Sequence, residues 1–179
     1  MSNANTIYTE WPLNGQKICA IILIIFFCFL AQVSPAKKLH NKDYKFKISL
    51  PQTMKMVNDT GQGEIYYDSV TSTVLIISGR ESKFHTVDEY INCNRNDLES
   101  ALKNWISDST LQIISCNKNK KATILHFRVV ESPVKYQDNI IYFIHHRNID
   151  IQFSFLYKTE DTPQREKDIE KIMRTLKLK

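Results

Sequence analysis

Ile140 to Tyr157 reads IIYFIHHRNIDIQFSFLY, and the reading of this stretch decides the fold. Two apolar runs flank Arg147-Asn148, which reads as a tight two-residue turn. That turn sets Ile144 opposite Ile151, Tyr142 opposite Phe153 and His145 opposite Asp150. The bulky residues then share one face, whereas a slip of one position would turn them all to the other. The hairpin is therefore expected to hold the centre of a sheet, with one wide apolar face beneath the helices.

Working back from it, Thr123 to Val129 alternates, with Leu125, Phe127 and Val129 on one side and His126 and Arg128 on the other. Leu111 to Cys116 reads as another strand, followed by a turn over Asn117 to Lys120. Earlier still, Tyr44 to Leu50 alternates and stops at Pro51. Glu64 to Tyr67 and Thr73 to Ser78 are two further strands. Val74-Leu75-Ile76-Ile77 is continuously apolar, which predicts a strand covered on both faces. Asp59 to Gly63 has the composition of a loop, and Lys37 to Asp43 reads as a flexible polar lead-in.

Two helices complete the pattern. Thr86-Val87-Asp88-Glu89 fits a capping box, and Val87, Tyr90, Ile91, Leu98, Ala101, Leu102 and Trp105 follow at helical spacing. Asn94 interrupts that stripe and is expected to be partly exposed or bonded to backbone. Asp161-Thr162-Pro163 opens the second helix, whose stripe is Ile169, Ile172, Met173 and Leu176. The class is α+β: a mostly antiparallel sheet of about seven strands covered by two amphipathic helices, with three strands, a helix, four strands and a helix in order. The single domain is expected to span residues 44–179, after a signal or anchor segment over 1–36 and the lead-in over 37–43.

That first segment contains Ile18 to Val33, ICAIILIIFFCFLAQV, which carries no charge. As a helix it would reach ~24 Å, short of a ~30 Å hydrocarbon core. Lys17 precedes it, and Ser34-Pro35-Ala36 follows with small residues, so an export signal cleaved after Ala36 is expected. The alternative is an uncleaved membrane anchor. Cys28 follows Phe26-Phe27, which is not the setting of a lipidated cysteine. The expected location is exported, periplasmic or secreted, with membrane contact only through residues 18–33 if they remain. An intact mass retaining residues 1–36 in native protein overturns the cleavage.

The chain has 179 residues, 24% of them charged, and a net charge of +5. The basic residues are dispersed, and the densest run is Lys118, Lys120 and Lys121. Nucleic-acid binding would need a basic stripe with aromatics interleaved, so no nucleic-acid partner is expected.

Catalytic chemistry finds little support. Among the five histidines, His40 and His85 are expected to be exposed. His145 and His146 are adjacent on a strand and point to opposite faces, so they cannot chelate one ion together. His145 opposite Asp150 resembles half of a catalytic dyad, but no serine or cysteine nucleophile is placed beside it, and a structural cross-strand pair is expected. There is no G-x-S-x-G, H-E-x-x-H or phosphate-cradling glycine loop. Asp59 to Gly63, with Glu64, lacks the alternating carboxylates of a calcium loop. Tyr66, Tyr67 and Tyr136 are read as packing residues. Cys93 lies off its helix's apolar stripe and Cys116 closes a strand. Export would permit a disulfide, yet nothing in the pattern brings the two together, and unpaired thiols are expected. No catalytic, cofactor-binding or metal-ligating residue is assigned.

The opening Tyr44-Lys45-Phe46-Lys47-Ile48-Ser49-Leu50-Pro51 and the closing Asp150-Ile151-Gln152-Phe153-Ser154-Phe155, followed by Ile169 to Lys177, resemble the PsbP-like fold. The resemblance covers most of Tyr44 to Lys179. It implies a scaffold used by photosystem accessory subunits and partner-binding proteins, and it brings no site motif to this chain. The expected function is an exported non-enzymatic module that binds a protein partner or supports an envelope assembly. The alternative is a small-molecule carrier or a hydrolase with an unrecognised site. An exposed apolar or edge-strand patch favours the first; a pocket with converging polar groups, such as one floored by His126, His145 and Asp150, favours the second.

Overall fold

The structure, a computed structural model, describes residues 36–61, 63–83, 93–103, 110–119, 121–132, 135–158, 160 and 162–179. In order the elements are β1 (Ala36–Asn41), β2 (Phe46–Pro51), β3 (Met54–Asp59), β4 (Gly63–Asp68), β5 (Thr73–Glu81), α1 (Arg95–Lys103), β6 (Thr110–Lys118), β7 (Thr123–Ser132), β8 (Lys135–His146), β9 (Ile149–Lys158), α2 (Thr162–Arg174) and β10 (Lys177–Leu178). Seven strands form one sheet in the order β3-β4-β5-β9-β8-β7-β6, and β1-β2-β10 form a second. Every pairing among these strands is antiparallel, so the class is α+β, with two helices among the described residues.

The hairpin has the expected register. Arg147 and Asn148 both take positive φ, 49° and 60°, as a type I′ turn requires. Ile144 faces Ile151, Tyr142 faces Phe153 and His145 faces Asp150. Ile151, Phe153 and Phe155 on β9 are fully buried.

The helices, however, do not share one face of that hairpin. Ile140, Tyr142 and Ile144 pack in the cluster that holds Ile169 and Ile172 of α2. The intervening Ile141 and Phe143 pack with Leu98 and Leu102 of α1. Alternation along a strand sends these two sets to opposite faces. The unbroken apolar run that marks a doubly covered strand is therefore the one in β8. In β5, Leu75 and Ile77 are buried while Val74 and Ile76 are only half-buried.

Three strands lie outside the sequence reading. The supposed lead-in over 37–43 supplies most of β1, which pairs with β2 along its whole length. β3 follows β2 after a short turn, and β10 adds two residues after α2. Each is polar or very short, and its partner, not its own pattern, makes it a strand. The small sheet is fastened to the large one by Phe46 and Phe153, whose ring centroids are 5.2 Å apart in an edge-to-face contact. The Ser49 N–H also ties β2 to the chain just beyond α2, donating to Thr175 Oγ1 at 2.8 Å.

Asn94 caps α1: the Asn96 N–H donates to its Oδ1 at 3.0 Å. The capping box at Thr86–Glu89, with His85, Val87, Tyr90, Ile91 and Trp105, lies outside the described residues. Cys93 and Cys116 are not free thiols but a disulfide. Cys93 precedes the cap of the described helix, so the helical stripe does not govern its direction. Cys116 belongs to the cluster beneath α1 and meets it there. The bridge spans 23 residues of sequence, and closing a loop of that size stabilises by roughly 3 kcal/mol. Cys93→Ser is expected to lower the free energy of urea unfolding by about that amount. An unchanged midpoint counts against the bridge.

Candidate functional site

The buried polar residues are the first place to look for chemistry. Arg128 on β7, Asp138 on β8 and Tyr157 on β9 lie side by side in register. Alternation places Asp138 on the α2 side of the sheet, with Ile140. It is fully buried, and its carboxylate accepts from Arg128 Nε at 2.6 Å and Nη2 at 3.0 Å. The Thr162 hydroxyl, at the start of α2, donates to it at 2.7 Å. Burial pushes the Asp138 carboxyl up, but the hydrogen bonds from Arg128 and Thr162 and the Arg128 charge outweigh it and hold the group below its ordinary value.

His126 joins this group, with Nδ1 at 3.3 Å from Glu166 Oε1 and Nε2 at 4.0 Å from Asp138 Oδ2. Burial lowers its pKa, and Arg128 adds to that, against the opposing pull of Glu166 and Asp138. The Tyr157 hydroxyl is buried with no hydrogen-bond partner among the described residues, and burial raises its pKa. Asp138 is sealed at the centre of the cluster, and its carboxylate is saturated by Arg128 and Thr162. It is built as a strut that pins the start of α2 to the sheet.

This strut makes stability depend on pH. The folded His126 has a pKa below its ordinary 6.5, so the unfolded chain takes up its proton first as pH falls. Its contribution is complete above that value and is lost as pH drops through the folded pKa. Asp138 is also depressed, from 3.8, so its contribution is present above that value and lost below it. Thermal melts are therefore expected to fall on acidification from neutral pH, and His126→Gln should flatten the upper part of that decline. An identical profile in the variant would remove His126 as the cause.

The hairpin histidine does meet its partner: His145 Nδ1 lies 2.9 Å from Asp150 Oδ1, with Arg80 Nε 3.8 Å from Oδ2. By alternation His145 faces the α1 side, with Ile141 and Phe143, whereas His126 packs beneath α2. His126, His145 and Asp150 thus do not share a pocket floor. His146 Nε2 lies 2.8 Å from the Lys179 carbonyl, and His40 Nε2 lies 2.7 Å from Lys179 Nζ. Among the described residues no group of three or more His, Cys, Asp or Glu is placed to hold a metal ion. Asp59 Oδ1 accepts from the Gly61 N–H at 3.0 Å, closing a local turn. Tyr66 is buried and donates to Glu64, while Tyr67 points the other way and is exposed. The Tyr136 side chain lies outside the description.

Three open surfaces stand out among the described residues. The first is a cleft of about 1020 Å³ between the end of α2, β10 and the start of β7. Ala122, Ile124, Tyr142 and Ile144 floor it, Met173, Leu176 and Leu178 wall it, and Lys121, Arg174, Lys177 and Glu170 stand at its rim. Burial, then the charges of Glu170 and Glu166, push the Tyr142 phenol up to about 12, so it stays a neutral donor. A second cleft of about 570 Å³ lies beside the hairpin turn, between Tyr44, Arg80, Glu81 and Arg147.

The third open surface is the outer edge of β3. Five large apolar side chains are exposed among the described residues, and four of them, Met56, Val57, Tyr67 and Val70, lie on β3, β4 or the turn after β4. A register shift between Met56 and Asn58 leaves Val57, 60% exposed, out of the ladder. Sequence reasoning passed over this strand; the alternation of Met54, Lys55 and Met56 was its only signal.

No protein-family model matches the sequence, and no curated protein matches it. Solved structures do. The solution structure of PsbP (CyanoP) from Synechocystis sp. PCC 6803 is 9% identical, covers 82% of this chain and 94% of its own, and superposes with a TM-score of 0.65. The crystal structure of the Saccharomyces cerevisiae Ran-binding protein Mog1p is also 9% identical, covering 81% of this chain and 96% of its own at a TM-score of 0.56. A Bacteroides thetaiotaomicron protein is 15% identical and covers 80% of this chain and 48% of its own, at 0.53. The chain has the PsbP-like fold.

Proposed function

We propose that the chain is an exported, non-enzymatic module that binds a protein partner, and that the partner docks on the outer edge of β3. The exposed Met56 and Val57 on β3, with Tyr67 and Val70 exposed on and after the neighbouring β4, carry the reading. An outer strand offers a row of main-chain donors and acceptors, and Met56 and Val57 add apolar grip, so the fitting partner presents an extended strand. Mog1p, of the same fold, is a Ran-binding protein, which supports partner binding as a use of this scaffold. The Cys93–Cys116 disulfide supports an oxidising compartment, and with it export. A small-molecule carrier is the second reading, and the apolar cleft beside α2 favours it.

The test is cross-linked capture from native envelopes with the wild-type chain and two variants. Met56→Lys with Val57→Lys is expected to lose the specific partner, because charged side chains on an outer strand block strand addition. Ile114→Lys, on the opposite outer strand, is expected to keep it. A partner retained equally by all three proteins would sink the edge-docking reading.

A further inference from the structure

We infer that the cleft between α2, β10 and the start of β7 binds an anionic amphiphile with a single alkyl chain. The site is separate from the β3 edge and goes beyond the protein-docking reading.

The cleft is lined on floor and walls by apolar side chains, and its volume of about 1020 Å³ matches that of small-molecule sites, roughly 300–1000 Å³. Ile144 and Tyr142 are recessed, at 1% and 7% exposure, so they suit a thin chain rather than the broad face of a helix. Ile124, Met173, Leu176 and Leu178 above them are half-buried and line the way in.

Charge at the mouth selects the head group. Arg174 Nη2 is paired with Glu170 Oε2 at 3.1 Å, which neutralises that side. Lys121 and Lys177 have no ion-pair partner among the described residues, and both stand at the rim. A carboxylate or phosphate head would settle between them while its chain runs over Ile124 and Leu178. A cationic head on the same chain would meet only repulsion.

The experiment uses the full chain and dodecanoate carrying a terminal diazirine, below its micellar concentration, with cross-links mapped by mass spectrometry. Label is expected on peptides containing Ile124 and Met173 to Leu178, and unlabelled dodecanoate should displace it about tenfold better than dodecyltrimethylammonium. Lys121→Glu with Lys177→Glu should weaken labelling by a similar factor while the melting temperature holds. Val57→Lys should leave labelling unchanged, which separates this site from partner docking. Displacement by lysophosphatidylglycerol in preference to dodecanoate supports the site and assigns its source to a lipid head group. Label confined to residues 18–33, equal competition by the cationic chain, or indifference to charge reversal overturns the proposal. An acidic peptide that displaces label better than dodecanoate overturns it in favour of a protein ligand.

Discussion

Asp138→Ala is expected to lower the free energy of unfolding by about 3–5 kcal/mol, the range for removing one partner of a buried ion pair. The carboxylate is fully buried and receives three hydrogen bonds, two from Arg128 and one from Thr162. Without it, the half-buried Arg128 guanidinium loses the buried carboxylate that faces it, and the first residue of α2 loses its anchor. The pair itself need not be worth that much, because much of the cost is the charge left behind. The double variant Asp138→Leu with Arg128→Met should therefore recover most of the loss. Guanidinium unfolding of the three proteins measures both effects. A cost below about 1 kcal/mol for the single change would show that Asp138 is not the strut described.

Phe153→Ala should cost a similar amount, about 3–5 kcal/mol, for a different reason. Phe153 is fully buried between Ile77 and Tyr142 on the neighbouring strands and packs edge-to-face on Phe46 of the small sheet. Truncation removes its apolar contacts and opens a cavity where the two sheets meet, and a strand framework cannot collapse readily to fill it. Amide exchange in β2 should accelerate along with the global loss, since Phe46 is the small sheet's aromatic contact with β9. By contrast, exposed Ile114→Ala should shift stability by no more than about 0.5 kcal/mol. If β2 exchange is unmoved while global stability falls, the joint between the sheets lies elsewhere.

What was legible in advance is local in origin. Arg147 and Asn148 are the two polar residues between two apolar runs, so the turn and the whole β8–β9 register can be read from eighteen consecutive residues (Ile140 to Tyr157). The same holds for Thr162-Pro163 at the start of α2 and for Asn94, which bonds the backbone of its own helix. The His145–Asp150 contact follows from that register too. The continuous run in β8 is the doubly covered one, a reading the sequence pattern had assigned to Val74–Ile77 instead.

What escaped the sequence depends on residues far apart in the chain. β1, β3 and β10 carry little apolar pattern, and they become strands because β2 and β4 offer them hydrogen bonds. The Cys93–Cys116 bridge, the Asp138 strut and the cleft beside α2 each join segments separated by loops or whole elements. In the linear pattern His126 and Arg128 looked like the polar side of a half-exposed strand. His126 is buried and Arg128 half-buried because α2 returns over this part of the sheet, bringing Glu166 to His126 and Thr162 to the Asp138 that Arg128 pairs with. Turn chemistry and apolar period act over a few residues and are written in the chain. Which polar groups end up sealed, and which apolar surface is left open to a ligand or a partner, depends on how those elements close over one another.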